Sequence, residues 1–128
     1  MASSERAVTV GWFEIPVKDM GRAILFYNRV FDITLSKQDF GGLLMAWFPM
    51  HESAKGAGGS LILNKNYTPS HEGTLIYFSS VDAENEIKRV EKAGGKILQE
   101  KTQISPDIGY MALFEDTEGN RIAVHSRK

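Results

Sequence analysis

The chain has 128 residues, of which 42% are hydrophobic and 24% charged, enough to build one globular domain with a core of its own. Its net charge is −1 and no basic run exceeds a pair, which argues against nucleic acid or an anionic membrane as partner. There is no cysteine, so disulfides, thiolate metal sites and cysteine nucleophiles are excluded.

Residues 1–7 are polar, lack the apolar stretch of a signal peptide and read as a tail. No apolar run approaches the roughly 20 residues of a membrane span. The expected location is the cytoplasm.

The first strand is expected over Val8–Val17. Asp19 is placed to cap the helix that follows, in which Ala23, Ile24, Tyr27, Val30 and Phe31 form an apolar stripe. Short strands are expected near Thr34–Gln38, Leu43–Met50 and Ser60–Asn64. Gly-rich stretches and a turn separate them.

After "KNYTPSHEG" the order begins again. "TLIYFS" is a strand, Asp82 a helix cap, and Ala83, Ile87 and Val90 an apolar face. "KILQEKT", "GYMALFED" and "RIAVHS" are three more strands, the last two joined by the tight turn "TEGN". Asp19 matches Asp82, Ile24 matches Ile87, Tyr27 matches Val90 and Leu35 matches Leu98, all at one offset of 63 residues. The expectation is an α+β domain spanning residues 1–128. Two βαβββ modules, about 8–64 and 74–126, would form a curled mixed sheet around a shared trough.

Period-2 alternation assigns the faces. Phe13, Ile15 and Val17 belong under the first helix, so Trp12, Glu14 and Pro16 face the trough. Ile76, Phe78, Ile122 and Val124 belong under the second helix. Leu75, Tyr77, Arg121, Ala123 and His125 then face the trough, with Trp47 joining from the third strand. A carboxylate among apolar neighbours is costly unless it has a partner or a task. Glu14 is thus either an acid–base group, with His125 or Tyr77 assisting, or an ion-pair partner of Arg121 or a lysine. His51 and His71 read as solvated loop residues.

The stretches "WFEIPVKDMGRAILFYNRVF", "GGSLILNKNYTPSHEGTLIYF", "VEKAGGKILQEKT" and "GYMALFEDTEGNRIAVHS" resemble the vicinal oxygen chelate superfamily, in its small glyoxalase-like branch. That superfamily includes glyoxalase I, fosfomycin- and bleomycin-resistance proteins and extradiol dioxygenases. The resemblance implies a divalent metal held by four side chains, two from each module. The matching positions hold Trp12, Ser60 or Ile62, Leu75 and Ala123, which leaves no ligand set beyond a serine hydroxyl. Neither a metal nor another cofactor is expected. The expected function is metal-independent binding of a small organic molecule in the trough, contacted by Trp12, Trp47, Leu75, Ala123 and Arg121. The alternatives are a lyase- or isomerase-type enzyme with Glu14 as general base, and a non-catalytic interaction subunit. Small relatives of this kind imply a homodimer.

Overall fold

The computed structural model describes residues 4–128. The elements run β1 (Trp12–Pro16), α1 (Met20–Phe31), β2 (Ser36–Phe40), β3 (Leu43–Trp47) and β4 (Gly58–Leu63). They continue with β5 (Ile76–Ser79), α2 (Ala83–Ala93), β6 (Lys96–Ser105), β7 (Gly109–Glu115) and β8 (Arg121–Ser126). This is βαβββ twice. Each module folds its own four-stranded mixed sheet, β1-β4-β3-β2 and β5-β8-β7-β6, with one parallel pair and two antiparallel pairs.

The helix starts confirm the repeat. Asp19 accepts a hydrogen bond from the Arg22 backbone N–H and Asp82 from that of Glu84, so both carboxylates cap as expected. Both helices end on a left-handed residue, Asp32 at φ 54° and Gly94 at φ 105°. Tyr27 and Val90, at matching positions, are fully buried. Leu35 and Leu98 diverge: Leu35 is 6% exposed and Leu98 43%. In β6 the register shifts between Ile97 and Gln99, and Ile97 packs on the core instead. A bulge of that kind turns the following side chains to the other face.

β1 is shorter than expected. Trp12 pairs with Gly58, where β4 begins. Upstream of Gly58 the chain is an open Gly-rich loop, so Val8 and Val10 have no partner strand and stay exposed. Of the expected tail, residues 1–3 lie outside the described residues, and 4–7 are exposed and belong to no helix or strand.

The face assignment holds. Ile15, Val17, Leu61, Ile122 and Val124 are buried beneath the helices in one hydrophobic cluster that also takes Phe26, Tyr27, Val30, Ile87 and Val90. That cluster draws on both modules. The Phe78 ring of β5 lies 5.5 Å from Phe13, 5.2 Å from Phe48 and 4.8 Å from Phe31. Burial of so many aromatic rings is the main force joining the modules. By contrast β1 and β5, the inner edges of the two sheets, share no strand pairing. No helix among the described residues is long and apolar enough to cross a membrane.

Candidate functional site

Because β1 and β5 do not pair, a cavity of about 720 Å³ opens between them. Trp12, Glu14, Leu75, Tyr77 and Arg121 line it, five of the residues singled out from the sequence. Loop residues Lys55–Ala57 stand along it from module one, and Thr68, Ser70, Glu72 and Thr74 come from the connector between the modules. Trp47, Ala123 and His125 share the concave side but do not line this cavity. Trp47 meets Trp12 edge-on at 5.9 Å and stacks on Phe40 at 6.0 Å. Ala123 is fully buried beside Tyr77. The His125 Nε2–H donates to the Ile108 carbonyl at 2.7 Å, which orients the ring toward the β6–β7 connection.

The polar groups of the cavity are conspicuous for what they do not touch. Glu14 is exposed and takes part in none of the four ion pairs found among the described residues, which are Arg22–Glu118, His71–Glu115, Lys96–Glu115 and Lys101–Asp82. The Glu14–Arg121 pair, one of the two roles open to Glu14, does not form. Arg121 faces Glu115 across the β7–β8 ladder, but Glu115 is engaged by His71 at 2.8 Å and Lys96 at 4.0 Å. His71, expected to be simply solvated, is therefore partnered. Arg121 Nε is buried with no hydrogen-bond partner, as are Trp47 Nε1 and Ser60 Oγ. Glu14, Ser60 and Trp47 form one row across the concave side of sheet one, each opposite the next in register. Unmet donors in a native fold are uncommon, and among the described residues all three such atoms lie on concave-side positions.

The model of the Glyoxalase/Bleomycin resistance protein/Dioxygenase superfamily matches residues 9–124, nearly the whole chain. The chain belongs to that superfamily. Solved structures agree in fold. Maize glyoxalase I superimposes with a TM-score of 0.69 at 21% identity, over 95% of this chain and 48% of the maize chain. The chain thus spans about half the length of that enzyme. A glyoxalase/bleomycin resistance protein from Albidiferax ferrireducens gives a TM-score of 0.68 at 17% identity, covering 92% of this chain and 98% of the other. An antibiotic-binding protein from a Streptomyces species gives 0.64 at 20% identity, over 95% and 98% of the two chains. No curated protein matches the chain.

The superfamily's metal positions do not fit a metal in this member. Trp12 and Leu75 present only ring and alkyl surface to the cavity, and Ala123 is a buried methyl. Ser60 offers one hydroxyl, itself sealed from solvent and unbonded, and Ile62 offers none. A divalent cation needs three or four N, O or S donors. Among the described residues no three His, Asp or Glu side chains come together to supply them.

The turn after β7, expected to be a simple hairpin connection, is a buried polar latch. Asp116, Glu118 and Asn120 are 2%, 3% and 5% exposed. Glu118 accepts the backbone N–H groups of Lys18 and Asp19, both at 2.8 Å, at the β1–α1 junction of module one. It also takes both arms of the Arg22 guanidinium and the Thr117 hydroxyl. Burial pushes the Glu118 carboxyl up, but these donors outweigh it and hold the group down to about 2. Asn120 donates to the Pro16 carbonyl and to Asp116. Asp116 in turn receives the Tyr27 hydroxyl, whose ionisation is raised by burial and by that carboxylate. The sequence carried only a weak signal, since Asp, Gly and Asn at these positions are also what a tight turn requires.

Proposed function

We propose that this superfamily member binds a small organic molecule in the cavity between β1 and β5, without a metal. The observation that carries this is the cavity itself. It has ligand-sized volume, walls of Trp12, Phe13, Leu75, Ile76 and Tyr77, and a few polar groups with no partner in the protein. The antibiotic-binding Streptomyces protein of the same fold supports it. Trp12 and Leu75 would cover the flat faces of the ligand, while Glu14 and Arg121 would fix its orientation; Trp47 and Ala123 would back the pocket from behind. Native mass spectrometry of protein purified from its own cells tests this. The expected result is a bound mass lost in a variant whose cavity is filled, such as Leu75→Trp. Protein that is ligand-free at every stage, and indifferent to filling the cavity, contradicts it.

A catalytic reading rests on one further observation, the free Glu14 carboxylate at the cavity wall. A carboxylate with no cation beside it can act as a general base toward a carbon acid next to a carbonyl, the step of a lyase or isomerase. Tyr77, half exposed on the facing strand, would be the assisting acid. His125 is the weaker assistant, since its Nε2–H is spent on Ile108. Turnover of a carbonyl substrate lost in Glu14→Gln separates this from binding alone.

The homodimer also belongs to this reading. Phe40, Leu43, Leu98 and Ile104, on or beside the outer sheet edges, are 53%, 36%, 43% and 46% exposed, apolar surface that a second copy would cover. A monomer by light scattering at micromolar concentration contradicts it.

A further inference from the structure

Four charged side chains line the cavity: Glu14, Lys55, Glu72 and Arg121. They carry two charges of each sign, and none of the four side chains is in an ion pair among the described residues. Two of them sit on strands of different sheets. Glu14 projects from β1 of module one and Arg121 from β8 of module two. Opposite charges that share a cavity and are free to move normally close on each other. Here they do not: each stands on its own sheet, the sheets share no pairing, and no ion pair joins the two among the described residues. Arg121 is further deprived: Nε is sealed from water with no acceptor, and its cross-strand neighbour Glu115 is taken by His71 and Lys96. A buried guanidinium donor left unmet is costly, and an anionic acceptor relieves it. Glu14 offers the complementary need, a carboxylate with room for a cation.

We infer that the ligand is amphoteric. A protonated amine is held by Glu14, a carboxylate or similar anion is held by Arg121, and an apolar body between them lies against Trp12, Leu75 and Tyr77. This rests on the reading of the cavity as a ligand site and narrows it to one chemical class. A neutral or singly charged molecule would satisfy one wall and leave the other charge stripped of water, which selects against it. The charge balance of the lining, two acids against two bases, agrees with a ligand of no net charge.

The test uses the ω-amino carboxylates from 3-aminopropanoate to 8-aminooctanoate, which step the distance between the two charges. Each is compared with the alkylamine and the carboxylate of the same length. Binding is followed by protein-observed NMR at near-neutral pH. One length should bind about tenfold tighter than either singly charged counterpart. Glu14→Gln should reduce it to the affinity of the plain carboxylate, and Arg121→Gln to that of the plain amine. Arg121→Lys should keep part of the gain. Melting temperatures of all variants, each expected within a few degrees of the parent, guard against misfolding. A singly charged counterpart that binds as tightly overturns the inference while leaving the cavity a ligand site. A series with no preferred length, or no binding at all, also overturns it; co-purification then decides separately whether the cavity is a ligand site.

Discussion

The Tyr27 hydroxyl of α1 donates to Asp116 of the β7–β8 turn across 2.5 Å of space and 89 residues of chain. It is the buried end of a network that runs through Asn120 to the Pro16 carbonyl, with Glu118 tying the same turn to Lys18, Asp19 and Arg22. The junction of β1 and α1, just beyond the strand from which Glu14 projects, is thus tied to the other module.

Tyr27→Phe keeps the ring, its packing on Phe26 and Phe31, and the fold. It removes one donor from a carboxylate that stays buried, which should cost about 1–3 kcal/mol. Urea titration measures the loss, and a change below about 0.5 kcal/mol would show the bond to be idle.

Acid should strike at Glu118. Its carboxyl titrates at about 2 in the folded protein against an ordinary value of 4.5, so the unfolded chain takes up the proton first as pH falls. The stability it confers is whole above pH 4.5 and is lost progressively toward pH 2. A shift of that size corresponds to up to about 3 kcal/mol. Glu118→Gln should forfeit a similar amount at neutral pH and flatten the acid limb of the stability curve. An unchanged acid limb in the variant would refute the assignment.

Glu14→Gln should leave stability within about 0.5 kcal/mol of the parent, since an exposed, unbonded carboxylate contributes little to folding. Ligand binding should nonetheless fall at least tenfold, roughly the worth of one charge-assisted hydrogen bond. A large drop in melting temperature with binding intact would reverse the roles given to Glu14.

Gly59→Ala should destabilise through the cavity wall. A Cβ there would stand 2.4 Å from the Phe13 ring, which is wedged between Phe48 and Phe78. Overpacking of this sort costs about 1–3 kcal/mol, and Phe13→Leu in the same chain should recover part of it. A chelator, by contrast, should leave the melting temperature of the unaltered protein where it was, given the donors at the four superfamily positions. A fall on chelation, or about one metal per chain by elemental analysis, would contradict that.

Much of the fold was legible because its signals are local. Asp19 and Asp82 announce helix starts through their own side chains, and alternation along β1, β5 and β8 sorts Ile15 from Glu14 and Phe78 from Tyr77 without reference to anything distant. The site was legible only to the same depth. Alternation places His125 and Trp47 on the concave side, but whether they reach the cavity depends on the twist of each sheet and the gap between the sheets. The latch was hidden for another reason. Asp, Gly and Asn in a tight turn are already explained by turn geometry. What makes Glu118 and Asn120 buried is a β1–α1 junction about 100 residues earlier. The overlong first strand fails likewise, since Val8 and Val10 are suited to a strand and lack only a neighbour.

The missing pairing between β1 and β5 has a mechanical side. A backbone ladder is stiff and admits only whole-register steps, whereas rings packed at 4.8 to 5.5 Å can slide by fractions of an ångström. The latch clamps one end, at Asn120. At the 63-residue offset its three polar residues correspond to Ser53, Lys55 and Ala57, none of them a carboxylate. The two modules would therefore pivot like the arms of tweezers near the latch, on a hinge also held where Arg29 donates to the Lys92 carbonyl and Arg89 to the Val30 carbonyl. Any rotation about that pivot would change the span between Glu14 and Arg121, so the one ligand length that meets both charges is set by how far the two arms stand apart.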